Sequence, residues 1–184
     1  MSGQKRLWNV SRIAGSGSER CSGFTVHSSR YIVNRQPSAF RPAGLFVTGT
    51  DTGVGKTLIT AGLAAALRAR GIDIGVMKPI ETGCPTRRSR LLPLDAMTLQ
   101  EASGSRDAID LINPYRFREP LAPMIAAEVS GRRIDIGKLR ERFSHLAGRH
   151  PAILVEGAGG LMVPITETSS FLDLAGLLKL PEAS

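Results

Sequence analysis

From residue 43 onward, short apolar runs alternate with helical patterns along the chain. Residues 45–47 form an apolar run typical of a buried strand, and a glycine-rich turn at 49–55 follows it. The next segment repeats apolar side chains every four residues, which predicts a helix whose packing face carries Ile59, Leu63 and Leu67. Gly71 is a residue type common just beyond a helix, and it predicts where this helix stops.

A second strand and a short helix follow. Residues 72–77 predict a strand that ends at Lys78-Pro79, and residues 80–94 predict a loop. Residues 95–102 predict a short helix, and Asp95 at its start is suited to be the N-cap.

The pattern then repeats near the middle of the chain. Asp135 is a suitable N-cap for a helix whose apolar positions are Ile136, Leu139, Phe143 and Leu146. Pro151 ends that segment, and residues 153–155 predict another buried strand that leads into Glu156. Strands that alternate with helices predict an α/β fold, with a parallel sheet covered by helices on both faces.

The end of the sequence predicts one more helix and the start of another strand. Residues 171–180 have a helical pattern, and Pro181 marks the turn toward a strand, but the chain stops at Ser184. A domain of this class is expected to add strands here. We therefore expect a truncated domain over residues 43–184, with a sheet that is incomplete at its C-terminal end.

Residues 1–42 differ from this body in composition. They lack hydrophobic periodicity, are rich in Ser, Gly and Arg, and hold seven basic residues and one acidic residue. They account for +6 of the formal net charge of +8. Two interpretations stay open: an organelle transit peptide, or more simply a disordered extension or a start codon placed too far upstream. The nearly neutral remainder gives no electrostatic reason to expect nucleic-acid binding.

Composition narrows the class further. No apolar run approaches the ~18–20 residues that a membrane-spanning helix needs, so we expect a soluble cytoplasmic protein with no membrane partner. The two cysteines, Cys21 and Cys84, have neither the number nor the spacing of a disulfide framework or a zinc site. The histidines His27, His145 and His150 have no evident catalytic partner and are interpreted as structural.

The strongest local motif is a phosphate-binding loop at residues 48–57, directly after a strand and at the start of a helix. Its glycines allow backbone N–H groups to wrap a phosphate at the positive end of the helix. Lys56 can reach the outer phosphates, and the Thr57 hydroxyl can ligate Mg²⁺. Thr50 stands where the common motif has its first glycine, and Gly49 precedes it, so this loop is one residue longer than usual.

Two further strand ends carry charged side chains. Glu156 follows a strand and precedes a glycine-rich turn, which is where a carboxylate could hold the Mg²⁺ of a nucleotide. Lys78 follows another strand and could stabilise an anionic intermediate. Spacing alone leaves open the simpler possibility that Lys78 is a solvated surface lysine and Glu156 an exposed acid before a tight turn.

Together these segments resemble the dethiobiotin synthetase family, an ATP-dependent P-loop family of the biotin pathway. The resemblance implies a P-loop NTPase-like α/β fold and an ATP-binding synthetase domain, truncated, over residues 43–184. The resemblance runs from Gly44 to about Leu180, and the longer phosphate loop is itself a family feature. The matching segments are Thr48-Gly49-Thr50-Asp51-Thr52-Gly53-Val54-Gly55-Lys56-Thr57, Lys78-Pro79, Thr82-Gly83, Asp95-Ala96, Asn113-Pro114-Tyr115, Glu119-Pro120 and Val155-Glu156-Gly157-Ala158-Gly159-Gly160.

The resemblance implies a ligase reaction in which ATP, CO₂ and 7,8-diaminopelargonate give dethiobiotin, ADP and phosphate. It assigns catalytic roles to Lys56, at the phosphates, and to Lys78, at the carbamate and its mixed anhydride. Thr82 would contact the substrate, and Mg²⁺ would be held by Thr57, Asp95 and Glu156. A homodimer is implied for a complete chain. The ATP-binding positions implied are Thr52, Gly53, Val54, Gly55, Lys56, Thr57, Leu58, Asp95, Glu156, Gly157, Ala158 and Gly159.

Three other functions remain in competition. An amide synthase of the same P-loop group would usually need a glutaminase domain, for which this chain has no room. A partitioning-type ATPase switch usually carries an extra lysine near the start of the loop, where this chain has Gly49-Thr50. An inactive or nucleotide-binding remnant is the third, because a missing sheet edge exposes apolar surface and unpaired backbone groups.

Overall fold

The computed structural model describes residues 43–183. The predicted leader at 1–42 therefore lies outside the described residues. The elements up to residue 103 are β1 (Ala43–Gly49), α1 (Lys56–Ala69), β2 (Ile74–Met77), β3 (Ile80–Glu81), β4 (Thr86–Arg87), β5 (Arg90–Leu91) and α2 (Leu94–Ser103). The later elements are α3 (Ile109–Ile112), β6 (Tyr115–Arg116), α4 (Pro123–Val129), α5 (Ile136–Ala147), β7 (Ala152–Gly160), β8 (Pro164–Thr166), β9 (Ser169–Ser170), α6 (Phe171–Leu178) and β10 (Glu182–Ala183).

The central sheet has the strand order β10-β1-β7-β2, and all of its strands are parallel. In register, Phe46 of β1 pairs with Val155 of β7 on one side and with Glu182 of β10 on the other. The strand predicted to begin after Pro181 is thus present as the two-residue β10, which lies beside β1.

Side chains of the sheet alternate between two hydrophobic cores, as expected of strands buried on both faces. In β7, Ile153 and Val155 pack with α5 and α6 in one core. Leu154 lies between them in sequence and packs into the other core, against residues of α1, α2 and β2. This arrangement confirms the predicted parallel sheet with helices on both faces.

Several predicted helix ends are confirmed. Beyond α1, Gly71 has a φ of 77°, which is the left-handed conformation that favours glycine at a helix end. At the start of α5, the Asp135 carboxylate accepts a hydrogen bond of 3.2 Å from the Lys138 N–H. The apolar face of α5 is buried as its spacing predicted, through Leu139, Phe143 and Leu146.

The predicted packing face of α1 is wrong at Ile59 and Leu63, whereas Leu67 is partly buried and packs against the core. Ile59 is 60% exposed and Leu63 is 39% exposed, whereas the buried face carries Lys56, Thr60 and Ala64. The phosphate loop fixes the phase of this helix, because it turns Lys56 inward at the first helical position. Small residues one and two turns later then meet the sheet, and Ile59 and Leu63 remain outside.

Other boundaries differ in ways that local sequence does not encode. The predicted loop at 80–94 contains β3 and a small β4–β5 hairpin, and β3 pairs in parallel with β6. β2 begins at Ile74 rather than residue 72, and α6 ends at Leu178 rather than residue 180. β7 does not stop at Glu156 but continues to Gly160, because its glycines stay paired beside β1 as far as Gly49. Within residues 43–183, no helix is long and apolar enough to cross a membrane.

Candidate active site

A cleft of about 360 Å³ opens beyond the carboxyl ends of β1, β2 and β7, where ligands bind in open parallel sheets. Of the fourteen site residues predicted from the sequence, eleven line this cleft. They are Thr52, Gly53, Gly55, Lys56, Thr57, Lys78, Thr82, Asp95, Glu156, Ala158 and Gly159. The remaining three, Val54, Leu58 and Gly157, do not line it, and the side chains of Val54 and Leu58 are exposed.

The phosphate loop owes its path to glycine. Gly53 and Gly55 have φ values of 74° and 94°, a region that other residues adopt only with strain. Gly55 is the residue that leads directly into α1, so the free N–H groups of the first helical turn face the cleft end of the loop. This backbone can wrap an anion without help from a side chain.

Lys56 folds back over the loop, and its ammonium donates a hydrogen bond to the Asp51 carbonyl. Burial lowers the pKa of Lys56, and the positive charge of nearby Lys78 lowers it further. Two lysines therefore face the same small volume. An anion placed between them would relieve their mutual repulsion.

Glu156 is fully buried within β7 and joins three elements of the site. Its Oε1 accepts a hydrogen bond of 2.7 Å from the Thr57 hydroxyl and one of 2.6 Å from the Lys78 ammonium. The alternative of a solvent-exposed acid before a tight turn is therefore wrong. The glycine that follows is also confined, because a Cβ at Gly157 would lie 3.2 Å from the Phe46 ring.

Lys78 is only 3% exposed, so it is not a solvated surface lysine. Its ammonium lies 2.8 Å from Asp95 Oδ2 as well as 2.6 Å from Glu156 Oε1. Burial alone would lower the pKa of Lys78, but the two carboxylates outweigh burial and raise it. Lys78 therefore stays charged, and it provides a fixed cation inside the cleft.

Asp95 does not cap its helix, although its position in the sequence suited it to be the N-cap. The N-cap of α2 is Pro93, and Asp95 lies in the first turn with its carboxylate directed to Lys78. The reason lies elsewhere in the chain: the N–H groups that a cap would satisfy are already bonded to Glu81, which comes from β3.

The oxygen atoms around Lys78 fit a small, hard cation. Glu156 Oε2 is buried and has no hydrogen-bond partner in the described part of the chain, so one carboxylate oxygen remains free for a ligand. Hydroxyl and carboxylate oxygens, here from Thr57, Asp95 and Glu156, are the donors that Mg²⁺ prefers. Residues 43–183 hold no group of three or more His, Cys, Asp or Glu that could hold a metal ion. The smaller set of Thr57, Asp95 and Glu156 suits Mg²⁺, because Mg²⁺ needs few protein ligands and usually keeps water and phosphate oxygens among its ligands.

Two buried polar residues near the site were not predicted to act there. Asn113 donates a hydrogen bond of 2.7 Å to the Lys78 carbonyl and so fixes the end of β2. Glu81 lines the cleft and is almost fully buried. Asn113 lies in a segment that carries the family resemblance, so a signal existed for it. For Glu81, the only signal in the sequence was its place beside Thr82.

A second cleft, of about 720 Å³, adjoins the first. Thr52, Thr82, Ala158 and Gly159 line both clefts. The far wall of the second cleft is largely apolar and is formed by residues 120–123 together with Met162, Val163 and Pro164. The site therefore combines a charged end, which suits phosphates, with an adjoining apolar end.

Comparisons with known proteins agree with this geometry. The family described as AAA domain matches residues 43–181. The ATP-dependent dethiobiotin synthetase of Anaeromyxobacter dehalogenans (strain 2CP-C) is 48% identical over 138 residues, which cover 75% of this chain and 60% of that protein. The enzyme of the same name from Thermodesulfovibrio yellowstonii is 42% identical over 125 residues, or 68% of this chain and 52% of that protein.

A third relative of that name, from Bacillus velezensis, is 40% identical over 136 residues, which cover 74% of this chain and 57% of that protein. The chain thus spans 60% or less of the length of these three curated relatives.

Proposed function

The chain belongs to the AAA-domain family, and on that premise we propose that this protein is an ATP-dependent dethiobiotin synthetase. The reaction would convert 7,8-diaminopelargonate, CO₂ and ATP into dethiobiotin, ADP and phosphate. The observation that carries this proposal is the position of Lys78, a buried cation held beside the phosphate loop and next to Thr82, where a carboxylated substrate would meet ATP.

The nucleotide end of the site is proposed to act by positioning and charge neutralisation, which supply most of the catalysis in phosphoryl transfer. The amides around Gly53 and Gly55 would cradle the phosphates, and Lys56 would turn from Asp51 toward the transferred phosphoryl group. Thr57, Asp95 and Glu156 would hold Mg²⁺ through the Thr57 hydroxyl and carboxylate oxygens, among them Glu156 Oε2, which has no hydrogen-bond partner among the described residues. When bound, Mg²⁺ neutralises charge on the phosphate oxygens.

At the substrate end, one amine of the diamine attacks CO₂ and loses a proton, which gives a carbamate anion. A carbamate oxygen then takes the γ-phosphoryl group, and ADP leaves. The second amine attacks the carbamyl carbon, closes the ureido ring and expels phosphate. Lys78 would stabilise the anionic carbamate and the mixed anhydride, because its charge is fixed, buried and close to the loop.

The apolar cleft supports the choice of substrate. The diamine carries an aliphatic carboxylic acid chain, which needs an extended apolar surface beside the reacting amines. Thr82 lies on both clefts and could contact the substrate where its reacting end meets its chain. The walls around Leu121 and Met162 would then cover the methylene groups.

We also place this reaction in the cytoplasm and expect a homodimer. The resemblance favours a second copy, and α1 leaves Leu58, Ile59 and Leu63 exposed, which is apolar surface of the kind that association buries. Sedimentation velocity of the purified chain should give twice the mass of one chain. A single-chain mass at micromolar concentration would contradict the dimer.

The function is tested by incubating the chain with ATP, Mg²⁺, bicarbonate and 7,8-diaminopelargonate. We expect dethiobiotin and ADP in equal amounts by mass spectrometry, and none without the diamine. Calorimetric binding of Mg²⁺-ATP without any dethiobiotin would indicate the nucleotide-binding alternative instead. ATP hydrolysis that requires DNA and not the diamine would indicate the partitioning-type ATPase.

A further inference from the structure

Glu81 is a buried acid whose position the proposed chemistry does not use directly. It is the second residue of β3, only 5% exposed, and it lines the charged cleft. It forms no salt bridge with any residue that the structure describes. Both of its oxygens are instead bonded to backbone: Oε1 accepts from the Asp95 N–H at 3.0 Å, and Oε2 accepts from the Ala96 N–H at 3.1 Å.

These two bonds replace the cap that α2 lacks. The first N–H groups of a helix have no partner within the helix, and the N-cap residue here, Pro93, has no side chain able to accept from them. A carboxylate from β3 satisfies two of these groups and also places a negative charge at the positive end of the helix. The start of α2 is therefore fixed to the strand that leads from Lys78 to Thr82.

The residue held most directly by this contact is Asp95. Its N–H is bonded to Glu81, while its own carboxylate reaches Lys78 at 2.8 Å across the cleft. The position of the Asp95 carboxylate thus depends on where the first turn of α2 lies. Because Asp95 is 43% exposed, few packing contacts of its own side chain compete with this backbone restraint.

We propose that Glu81 is a positioning residue: by bonding the Asp95 and Ala96 N–H groups, it holds the Asp95 carboxylate where it can serve the cation bound with the nucleotide. This role rests on the proposed function, since it acts through a ligand of Mg²⁺. Removal of such an indirect support typically lowers metal affinity while leaving the direct ligands in place.

The test is Glu81→Gln in the whole chain. The glutamine oxygen can accept from one N–H, but its NH₂ group then faces the other N–H, so one of the two bonds is lost. We expect the Mg²⁺ concentration that half-saturates ATP binding to rise roughly 10-fold, as for other supports of metal ligands. ATP binding measured by calorimetry without Mg²⁺ should be unchanged. Glu81→Asp, which keeps the charge on a shorter side chain, is a second variant in case Glu81→Gln does not fold.

Two controls separate positioning from stability. Ser170→Ala removes the capping box of α6, away from the cleft, so it should lower the unfolding temperature without changing the Mg²⁺ dependence. Asp95→Asn should raise the Mg²⁺ requirement by itself, and adding Glu81→Gln to it should have little further effect, because both changes act through one carboxylate.

The outcomes are distinguishable. An unchanged Mg²⁺ dependence in Glu81→Gln, with normal Mg²⁺-ATP binding by the unaltered chain, would overturn the role of Glu81 alone. A full additional loss in the Asp95→Asn background would overturn it too. No Mg²⁺-dependent ATP binding by the unaltered chain would overturn the proposed function and this role with it.

Discussion

The Lys78 ammonium and the Glu156 carboxylate lie 2.6 Å apart in a buried position, where Lys78 follows the end of β2 and Glu156 lies in the neighbouring β7. Met77, directly before Lys78, pairs with Val155, directly before Glu156, so the sheet register itself brings the two charges together. Thr57 bonds the same carboxylate oxygen from the start of α1. The charged end of the cleft is therefore built by three elements that all leave one edge of the sheet.

We expect Lys78→Gln to separate nucleotide binding from turnover. Removing this cation leaves Asp95 and Glu156 free for Mg²⁺, so calorimetric Mg²⁺-ATP binding should stay close to normal. Formation of dethiobiotin should fall by about 10²-fold or more, as when one group that stabilises a developing anion is removed. Near-normal turnover would remove Lys78 from the substrate site. Loss of ATP binding would instead assign it to the nucleotide.

Lys56→Ala should act at the nucleotide. Its side chain lies over the phosphate loop, where it would neutralise charge on the transferred phosphoryl group. We expect dethiobiotin formation to be abolished, with product measured by mass spectrometry. Arg140→Ala, which removes an exposed cation on α5, is the matched control and should retain activity. Activity like that of the unaltered chain in Lys56→Ala would contradict the central role of the loop.

Much of the fold could be predicted because its signals are local. The strand at residues 45–47, the loop glycines and the Asp135 cap each depend on neighbours within a few residues. The phase of α1 could not be predicted from its apolar spacing, because the orientation of Lys56 and the closeness of the sheet decide it. Apolar periodicity marks a helix, but it does not say which face the rest of the molecule covers.

In the candidate site, too, some residues could be predicted from the sequence and others could not. Residues in the loop and at strand ends could be predicted, because the carboxyl ends of parallel strands share one edge. The burial of Lys78 could not, since it depends on Asn113 from a distant segment and on two carboxylates. Glu81 was missed for a related reason: its partners are N–H groups fourteen and fifteen residues later, which no side-chain pattern records.

Two glycines should respond to alanine in opposite ways. Gly62 lies within α1, and an added Cβ would meet nothing within 4 Å, so Gly62→Ala should stabilise the fold by about 0.5–1 kcal/mol. At Gly75 the Cβ would lie 2.8 Å from His150 Cδ2. His150 is held by Asp73 at 2.9 Å and Asp107 at 2.7 Å, so it cannot easily move.

Gly75→Ala should therefore destabilise the fold by about 1–3 kcal/mol, as overpacking of a well-filled site does. Urea unfolding of both variants checks the pair of predictions. An equal change in the two free energies of unfolding would contradict this account of the space around His150.

Asp107 should contribute to the pH dependence of stability. Burial alone would raise its pKa, but hydrogen bonds from Ser105, Arg149 and His150 outweigh burial, and its pKa is lowered from 3.8. A carboxylate whose pKa is lower in the folded state stabilises the fold above its unfolded pKa, and this contribution is lost as pH falls through the folded pKa. Asp107→Asn should thus be less stable than the unaltered chain near pH 7, and the difference should shrink below about pH 4.

Asp110→Asn, at a carboxylate that is 85% exposed, is the control and should change stability by no more than about 0.5 kcal/mol. The measurement is urea unfolding of the unaltered chain and the two variants at pH values spaced roughly evenly from 3 to 7, a range that includes the unfolded pKa of an aspartate. A difference between Asp107→Asn and the unaltered chain that stays constant, or that grows as the pH falls, would show that the charge of Asp107 does not stabilise this cluster.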